Sequence, residues 1–227
     1  MYRYLKSACF LFFILSGPVV FAQTTTWDST YRPGSYQVRV GHFNSYPNHK
    51  KDIIFLGNSI SLGTEWVELL QNKRVRNRGI SGDISFGVIE RLKEVTEGNP
   101  KKVFILIGIN DIARGIPDDV ILNNYRRIIH QIKNESPRTE IYFQTLLPVN
   151  NEFTDRNHFN KDEHIQNVNA ELIKLARDEN ITLIDLHPHF LNADKKLDKQ
   201  FTYDGLHLNA EGYKKWATIL ISGKYLK

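Results

Sequence analysis

Four short stretches of this sequence hold residue types that can do nucleophilic chemistry together. Ser59 follows an apolar run, Ile53 to Leu56, that stops at Gly57 and Asn58. Gly82 lies in Arg78-Gly79-Ile80-Ser81-Gly82-Asp83, and Asn110 in Gly108-Ile109-Asn110-Asp111. Asp204 and His207 stand three residues apart in Tyr203-Asp204-Gly205-Leu206-His207. Acyl transfer from a serine needs a base for its proton, a group to orient that base, and donors aimed at the oxyanion. His207 suits the base, since an imidazole titrates near neutral pH. Asp204, on the same loop, can accept the Nδ1 proton and hold the tautomer. Donors would be the backbone N–H groups of Ser59 and Gly82 and the side-chain amide of Asn110. A glycine at 82 lets the backbone approach a substrate without a Cβ in the way. Each residue alone has a plain explanation: a serine after a strand caps a helix, and asparagine ends strands. Their convergence carries the argument, and that depends on the elements between them.

Those elements alternate. Ile53 to Leu56 is β-branched and aromatic and reads as a buried strand, followed by a helix starting near Thr64 with Trp66, Leu69 and Leu70 on its apolar side. Val75 to Asn77 gives a second strand, and Val88, Leu92 and Val95 a helix closed by Gly98-Asn99-Pro100. Val103 to Ile107 is a third strand, and Ile121, Tyr125, Ile128 and Ile132 mark a helix stopped before Pro137. A fourth strand, Ile141 to Gln144, leads into an irregular loop over residues 146–161. Ile165, Val168, Leu172 and Leu175 make a helix, Thr182 to Ile184 a fifth strand, and Tyr213, Trp216, Ala217 and Leu220 a final helix. Buried strands alternating with helices predict an α/β fold, a five-stranded parallel sheet covered on both faces in a three-layer, flavodoxin-like order. The carboxyl ends of such strands are where the sheet builds its site, and all five candidate residues fall on that edge.

The four blocks Gly57-Asn58-Ser59-Ile60, Gly79-Ile80-Ser81-Gly82-Asp83, Gly108-Ile109-Asn110-Asp111 and Asp204-Gly205-Leu206-His207 resemble, in order, those of the SGNH or GDSL-type hydrolases. The resemblance runs over about residues 52–226. It implies an SGNH hydrolase fold over residues 51–227, a nucleophile at Ser59, oxyanion donors at Ser59, Gly82 and Asn110, and a base pair of Asp204 and His207. It favours Gly82 over Gly79 as the donor, Gly79 being turn chemistry. The sequence departs from the family in Asn58, where aspartate is more usual, and Ile60, where leucine is. Asn58, Asp83 and Asp111 read as supporting groups that fix the loops. The implied activity is hydrolysis of a carboxylic ester through an acyl-enzyme, without cofactor or metal. Within that family the substrates include small acyl and O-acetyl groups, on carbohydrates among others, lysophospholipids and thioesters. A glycan-binding protein on a silent hydrolase scaffold is the alternative from another class, and the intact serine, aspartate and histidine weigh against it.

Composition narrows the partners. Arg3 and Lys6 precede the apolar run Ala8 to Leu15, and Val20-Phe21-Ala22 offers a cleavage site, so residues 1–22 read as an export signal and the mature chain begins at Gln23. That places the protein in the periplasm or outside the cell, with no stable membrane insertion after cleavage, since the run is too short to span a bilayer. Loss of Arg3 and Lys6 lowers the formal charge from +5 to +3. With no basic cluster interleaved with aromatics, nucleic acid is not an expected partner; an acyl ester, small or on a glycan, is. Neither the dinucleotide glycine fingerprint nor a phosphate loop is present, which sets aside nucleotide binding. Cys9 is the only cysteine and belongs to the signal, leaving no disulfide and no thiol nucleophile. His187-Pro188-His189 lacks a third ligand at a metal-binding spacing. Residues 23–50, broken by Pro33, Gly34 and Pro47, read as an extended lead-in with a short helix around Tyr36 to Phe43 and no functional signal. The sequence carries no signal for an oligomeric state.

Overall fold

The computed structural model describes residues 27–227 apart from Thr154. The expected export signal and its expected junction at Gln23 lie outside the described residues. The five expected strands are β1 (Ile53–Gly57), β2 (Val75–Gly79), β3 (Lys102–Leu106), β4 (Glu140–Gln144) and β5 (Thr182–Ile184). All pair in parallel, in the order β2-β1-β3-β4-β5. Around them run α1 (Tyr36–Ser45), α2 (Ser59–Leu62), α3 (Trp66–Leu69), α4 (Ser85–Glu90), α5 (Lys93–Thr96), α6 (Ile109–Ala113), α7 (Asp118–Glu135), α8 (Asp162–Asp178) and α9 (Ala210–Ser222). The chain steps from β1 out to β2 and then back past β1 to β3. The winding therefore reverses at β1, and a crevice opens at the carboxyl ends of β1 and β3. The register sets Gly57 beside both Gly79 and Leu106. Three loops thus leave the sheet from one line.

The two faces are packed differently. Phe55, Phe104 and Tyr142 are cross-strand partners and so share one face, with ring centroids 5.0 and 4.6 Å apart. Trp66 of α3 stacks on Phe55 at 4.0 Å, and Trp216 of α9 meets Trp66 edge-on at 4.8 Å. Both indole N–H groups find acceptors inside, Ser61 O and Gln144 Oε1, each at 2.7 Å, which lets the two large rings be fully buried. Burying a ring such as Phe55 contributes about 1.5–3 kcal/mol, and its aromatic pairings about 0.5–1.5 kcal/mol more. On the opposite face Tyr125 of α7 packs against Phe143 at 5.0 Å, followed along that helix by Ile128, Ile129 and Ile132. Strand β1, the base of the Ser59 loop, is buried along its whole length.

Three local features depart from the sequence reading. The helix expected from Val88 to Val95 is broken into α4 and α5 around Arg91, whose guanidinium turns inward to Asp83 and Glu94, 3.0 and 3.1 Å away. The helix near Thr64 is a single turn. One-turn helices α2 and α6 follow β1 and β3 directly, too short to leave a periodicity in the sequence.

Candidate active site

Ser59 is held at its place by the turn that precedes it. The Asn58 side-chain oxygen accepts the Ile60 N–H at 2.9 Å, the Leu62 N–H bonds Asn58 O at 3.0 Å, and the Tyr213 hydroxyl closes on Ile60 O at 2.9 Å. Asn58 is fully buried, and its amide nitrogen has no partner among the described residues. Opposite, an isolated bridge between Thr202 and Leu208 pinches off the Asp204–His207 loop. Thr202 Oγ1 donates to His207 O at 2.6 Å and accepts from Gly205 N at 2.9 Å. Asn209 then caps α9 through Gly212 N at 3.0 Å. This loop points one carboxylate and one imidazole at the serine.

The resulting relay is continuous. His207 Nε2 lies 3.0 Å from Ser59 Oγ, and His207 Nδ1 2.7 Å from Asp204 Oδ2. The other oxygen, Asp204 Oδ1, accepts the backbone N–H groups of His207 and Leu206 at 2.7 and 3.0 Å. Burial pushes the Asp204 carboxyl up, but the His207 ring and these two amides outweigh it and hold the carboxyl below its ordinary value. An ionised carboxylate only accepts, so the ring proton sits on Nδ1 and Nε2 presents a lone pair to the serine hydroxyl. Arg156, from the 146–161 loop, donates to the same Oδ2 at 2.8 Å. The exposed Tyr203 ring lies parallel to the His207 imidazole, 6.0 Å away between centroids.

Further N–H groups lie at the neighbouring strand ends. Among the described residues neither the Ser59 nor the Gly82 N–H has a partner. Gly82 sits at φ +78°, a left-handed conformation natural to glycine, in the loop after β2. Asn110 Nδ2 donates one proton to Asp83 O at 2.9 Å, leaving the second available. Behind them lies a buried polar layer. Asp83 pairs with Arg91, and Arg91 also donates to Gly57 O and Arg78 O at 3.1 and 3.0 Å, tying the Gly82 loop to the end of β1. Asp111 accepts from the Ser85 N–H at 3.0 Å, and burial, opposed by the Ser85 hydrogen bonds, pushes its carboxyl up to about 7.

All eight residues read from the sequence, Asn58, Ser59, Gly82, Asp83, Asn110, Asp111, Asp204 and His207, therefore meet at one edge of the sheet. Several further residues join them there. His158 places Nε2 2.9 Å from Asn110 Oδ1, and Arg156 reaches Asp204; only their place in the one long irregular loop pointed to them. The lead-in also takes part. Trp27, Asp28 and Tyr31 join Arg114, His158 and the Gly82–Asn110 pair around a cavity of 460 Å³. His164 lies elsewhere, bonded to Asp118 at 3.0 Å, and His187 is taken up by Leu146 O at 2.8 Å.

A serine hydroxyl, a tautomer-fixed imidazole and N–H groups without partners among the described residues thus share the carboxyl edge of a parallel sheet. Residues 55–215 match the model of the GDSL-like Lipase/Acylhydrolase family, and the chain belongs to that family. It is 28% identical over 170 residues to the rat (Rattus norvegicus) platelet-activating factor acetylhydrolase IB subunit alpha2, covering 72% of each chain. Among solved structures, one from Streptococcus pneumonia described as a platelet activating factor superposes with a TM-score of 0.76 at 30% identity, covering 85% of this chain and 92% of that one. The acetyl xylan esterase AlAXEase superposes with a TM-score of 0.65 at 25% identity, covering 76% and 98%.

Proposed function

We propose that this protein is a serine esterase that removes small acyl groups, chiefly O-acetyl, from carbohydrate esters. The observation that carries the mechanism is the Ser59–His207–Asp204 chain of contacts at 3.0 and 2.7 Å. In this reading Ser59 Oγ attacks the ester carbonyl carbon as its proton passes to His207 Nε2. Asp204 steadies the imidazolium through Nδ1–H. The oxyanion is held by the Ser59 and Gly82 N–H groups and the free Asn110 amide proton. His207 returns the proton to the leaving alcohol as the C–O bond breaks, giving an acyl-Ser59 ester. Water, deprotonated by His207, attacks that ester, and its collapse releases the carboxylic acid and restores the serine. The Gly82–Asn110 donors are preorganised by Arg91 and Asp83, so little reorganisation is needed as charge develops.

The substrate class rests on the cavity. Its walls are the Trp27 and Tyr31 rings, the charged Asp28 and Arg114, and His158; Ala113 is the one aliphatic side chain among the described residues that line it. An alkyl chain there would bury polar groups without replacing their hydrogen bonds, at about 1–3 kcal/mol each. A sugar ring offers hydroxyls to the polar groups and C–H faces to the aromatics. The names of the acetylhydrolase and acetyl xylan esterase relatives agree on an acetyl group and differ in the alcohol. The lipid-like alcohol that a lysophospholipase would take finds no apolar groove in this cavity. In this reading residues 1–22 are an export signal, the enzyme acts outside the cytoplasm, and residues 51–227 are its single hydrolase domain. Among the described residues no helix is long and apolar enough to cross a membrane.

Hydrolysis of p-nitrophenyl acetate, butyrate and decanoate and of an acetylated xylo-oligosaccharide, by residues 23–227 and by its Ser59→Ala variant, tests this. Acetate release from the sugar and fast p-nitrophenyl acetate turnover, both lost in the variant, are expected. Activity that survives Ser59→Ala removes the serine mechanism, and equal turnover of decanoate and acetate removes the small-acyl reading.

A further inference from the structure

We infer that His158 is a positioning residue of the oxyanion hole: its Nε2–H locks the Asn110 side-chain amide in the one orientation that can donate to the substrate. The inference rests on the acyl-transfer reading above and adds to it a part for the 146–161 loop. An amide side chain is nearly symmetric in shape but opposite in chemistry at its two ends. Flipped, Asn110 would offer a carbonyl oxygen where the reaction needs a donor. Two contacts decide the orientation. At one end Asp83 O, a carbonyl that can only accept, stands 2.9 Å from Nδ2. At the other, His158 Nε2 stands 2.9 Å from Oδ1, a contact that requires the imidazole to donate. The Asp83 carbonyl belongs to the loop that carries Gly82, and the His158 ring belongs to a loop from the far side of the site.

The imidazole is itself committed to that role. Its Nδ1 is buried and has no hydrogen-bond partner among the described residues, so its single proton belongs on Nε2. A half-buried ring beside His207 and Arg156 resists a second proton: burial first, then these neighbours, pushes it down to about 4. His158 therefore remains a neutral Nε2–H donor through the range where a serine and histidine relay works. Two residues earlier on the same loop Arg156 bonds Asp204. One short segment thus touches both halves of the machinery, the base pair through Arg156 and the donor amide through His158. His158 touches neither the serine nor the proton in flight; it acts through Asn110.

The test is a double-mutant cycle on p-nitrophenyl acetate with His158→Ala, Asn110→Ala, the double variant and His158→Gln. A released amide samples the flipped orientation, so His158→Ala should lower kcat on the order of tenfold to a hundredfold, below the loss from deleting an oxyanion donor outright, with KM within about twofold. In the Asn110→Ala background the same change should cost less than about twofold, because there is no amide left to orient. Glutamine, whose amide N–H can reach Oδ1, should recover most of kcat. Equal losses in the two backgrounds would mean a merely structural residue and overturn the inference, as would a His158→Ala enzyme within twofold of wild type. Long-range ¹H–¹⁵N NMR of the histidine rings reads the tautomer without turnover. Nε2–H with bare Nδ1 supports the inference, and Nδ1–H overturns it. If no protein, wild type included, turns over ester, the esterase reading fails, while the NMR result still reports on His158 by itself.

Discussion

Asp204→Asn keeps the shape of the relay and inverts its hydrogen-bond logic. Asp204 Oδ1 is pinned by two backbone N–H groups, from His207 and Leu206. In the variant the amide oxygen must stay there, because the amide nitrogen cannot accept from them. The nitrogen then takes the place of Oδ2, 2.7 Å from His207 Nδ1, and meets it as a donor. Nδ1 must become the acceptor, the ring proton moves to Nε2, and the face turned to Ser59 can no longer take a proton. Losing the charge-assisted bond costs about 1.5–3 kcal/mol. The imidazolium also loses its counter-ion, worth up to about 4 kcal/mol at contact distance in a partly screened site. Arg156, left beside an uncharged partner, adds to the penalty. Together these raise the barrier by about 4–5.5 kcal/mol, a 10³–10⁴-fold fall in kcat at 1.36 kcal/mol per decade, the size seen when a serine protease triad loses its carboxylate in the same way. The assay is saturating p-nitrophenyl acetate at pH 8, with the Ser59→Ala rate subtracted as background and far-ultraviolet circular dichroism as the check on folding. A folded Asp204→Asn protein within tenfold of the wild-type kcat would refute the relay.

Gly108→Ala probes the third block. Gly108 sits at φ +129°, and an added Cβ would lie 2.2 Å from the Tyr125 hydroxyl, which bonds Ile107 O at 2.6 Å. Backbone strain and the broken bond together predict about 3–5 kcal/mol of destabilisation, a fall in Tm of roughly 6–20 °C by calorimetry; a fall under 2 °C would contradict the packing described. Asp111 predicts a pH dependence of stability. Its folded-state value, about 7, lies above the ordinary 3.8, so the folded protein holds that proton more tightly. Its contribution is therefore greatest below the ordinary value and is lost as pH rises through the folded one. Urea titrations between pH 5 and 8 should show stability falling with pH, with a shallower slope in Asp111→Asn; parallel slopes would remove Asp111 as the source. Trp27→Ala tests the cavity wall. About 1 kcal/mol of stacking predicts a roughly fivefold higher KM for an acetylated xylo-oligosaccharide, with p-nitrophenyl acetate changed less than twofold; an equal effect on both substrates would deny Trp27 a part in recognising the sugar.

How much of this was legible in the chain follows from the range of the forces involved. Four short apolar runs, with the shorter Val75–Asn77 segment, determined the strands, and their alternation with amphipathic helices determined a parallel sheet and the edge on which Ser59, Gly82, Asn110, Asp204 and His207 fall. Those are local patterns, written in residues close together. The one-turn helices at Ser59 and Ile109 left no trace, because a single turn has no period to detect, and the break at Arg91 comes from a buried ion pair with Asp83 eight residues away. The partners that refine the site are all long-range. His158 meets Asn110 and Arg156 meets Asp204 across 48 residues, and Trp27 and Tyr31 arrive from a lead-in that shows no motif of its own. A catalytic block can be recognised from its own spacing. Which side chain orients it, and which wall shapes the ligand beside it, was decided only when the loops from separate strands packed together at one sheet edge, where contact depends on position in space rather than in sequence.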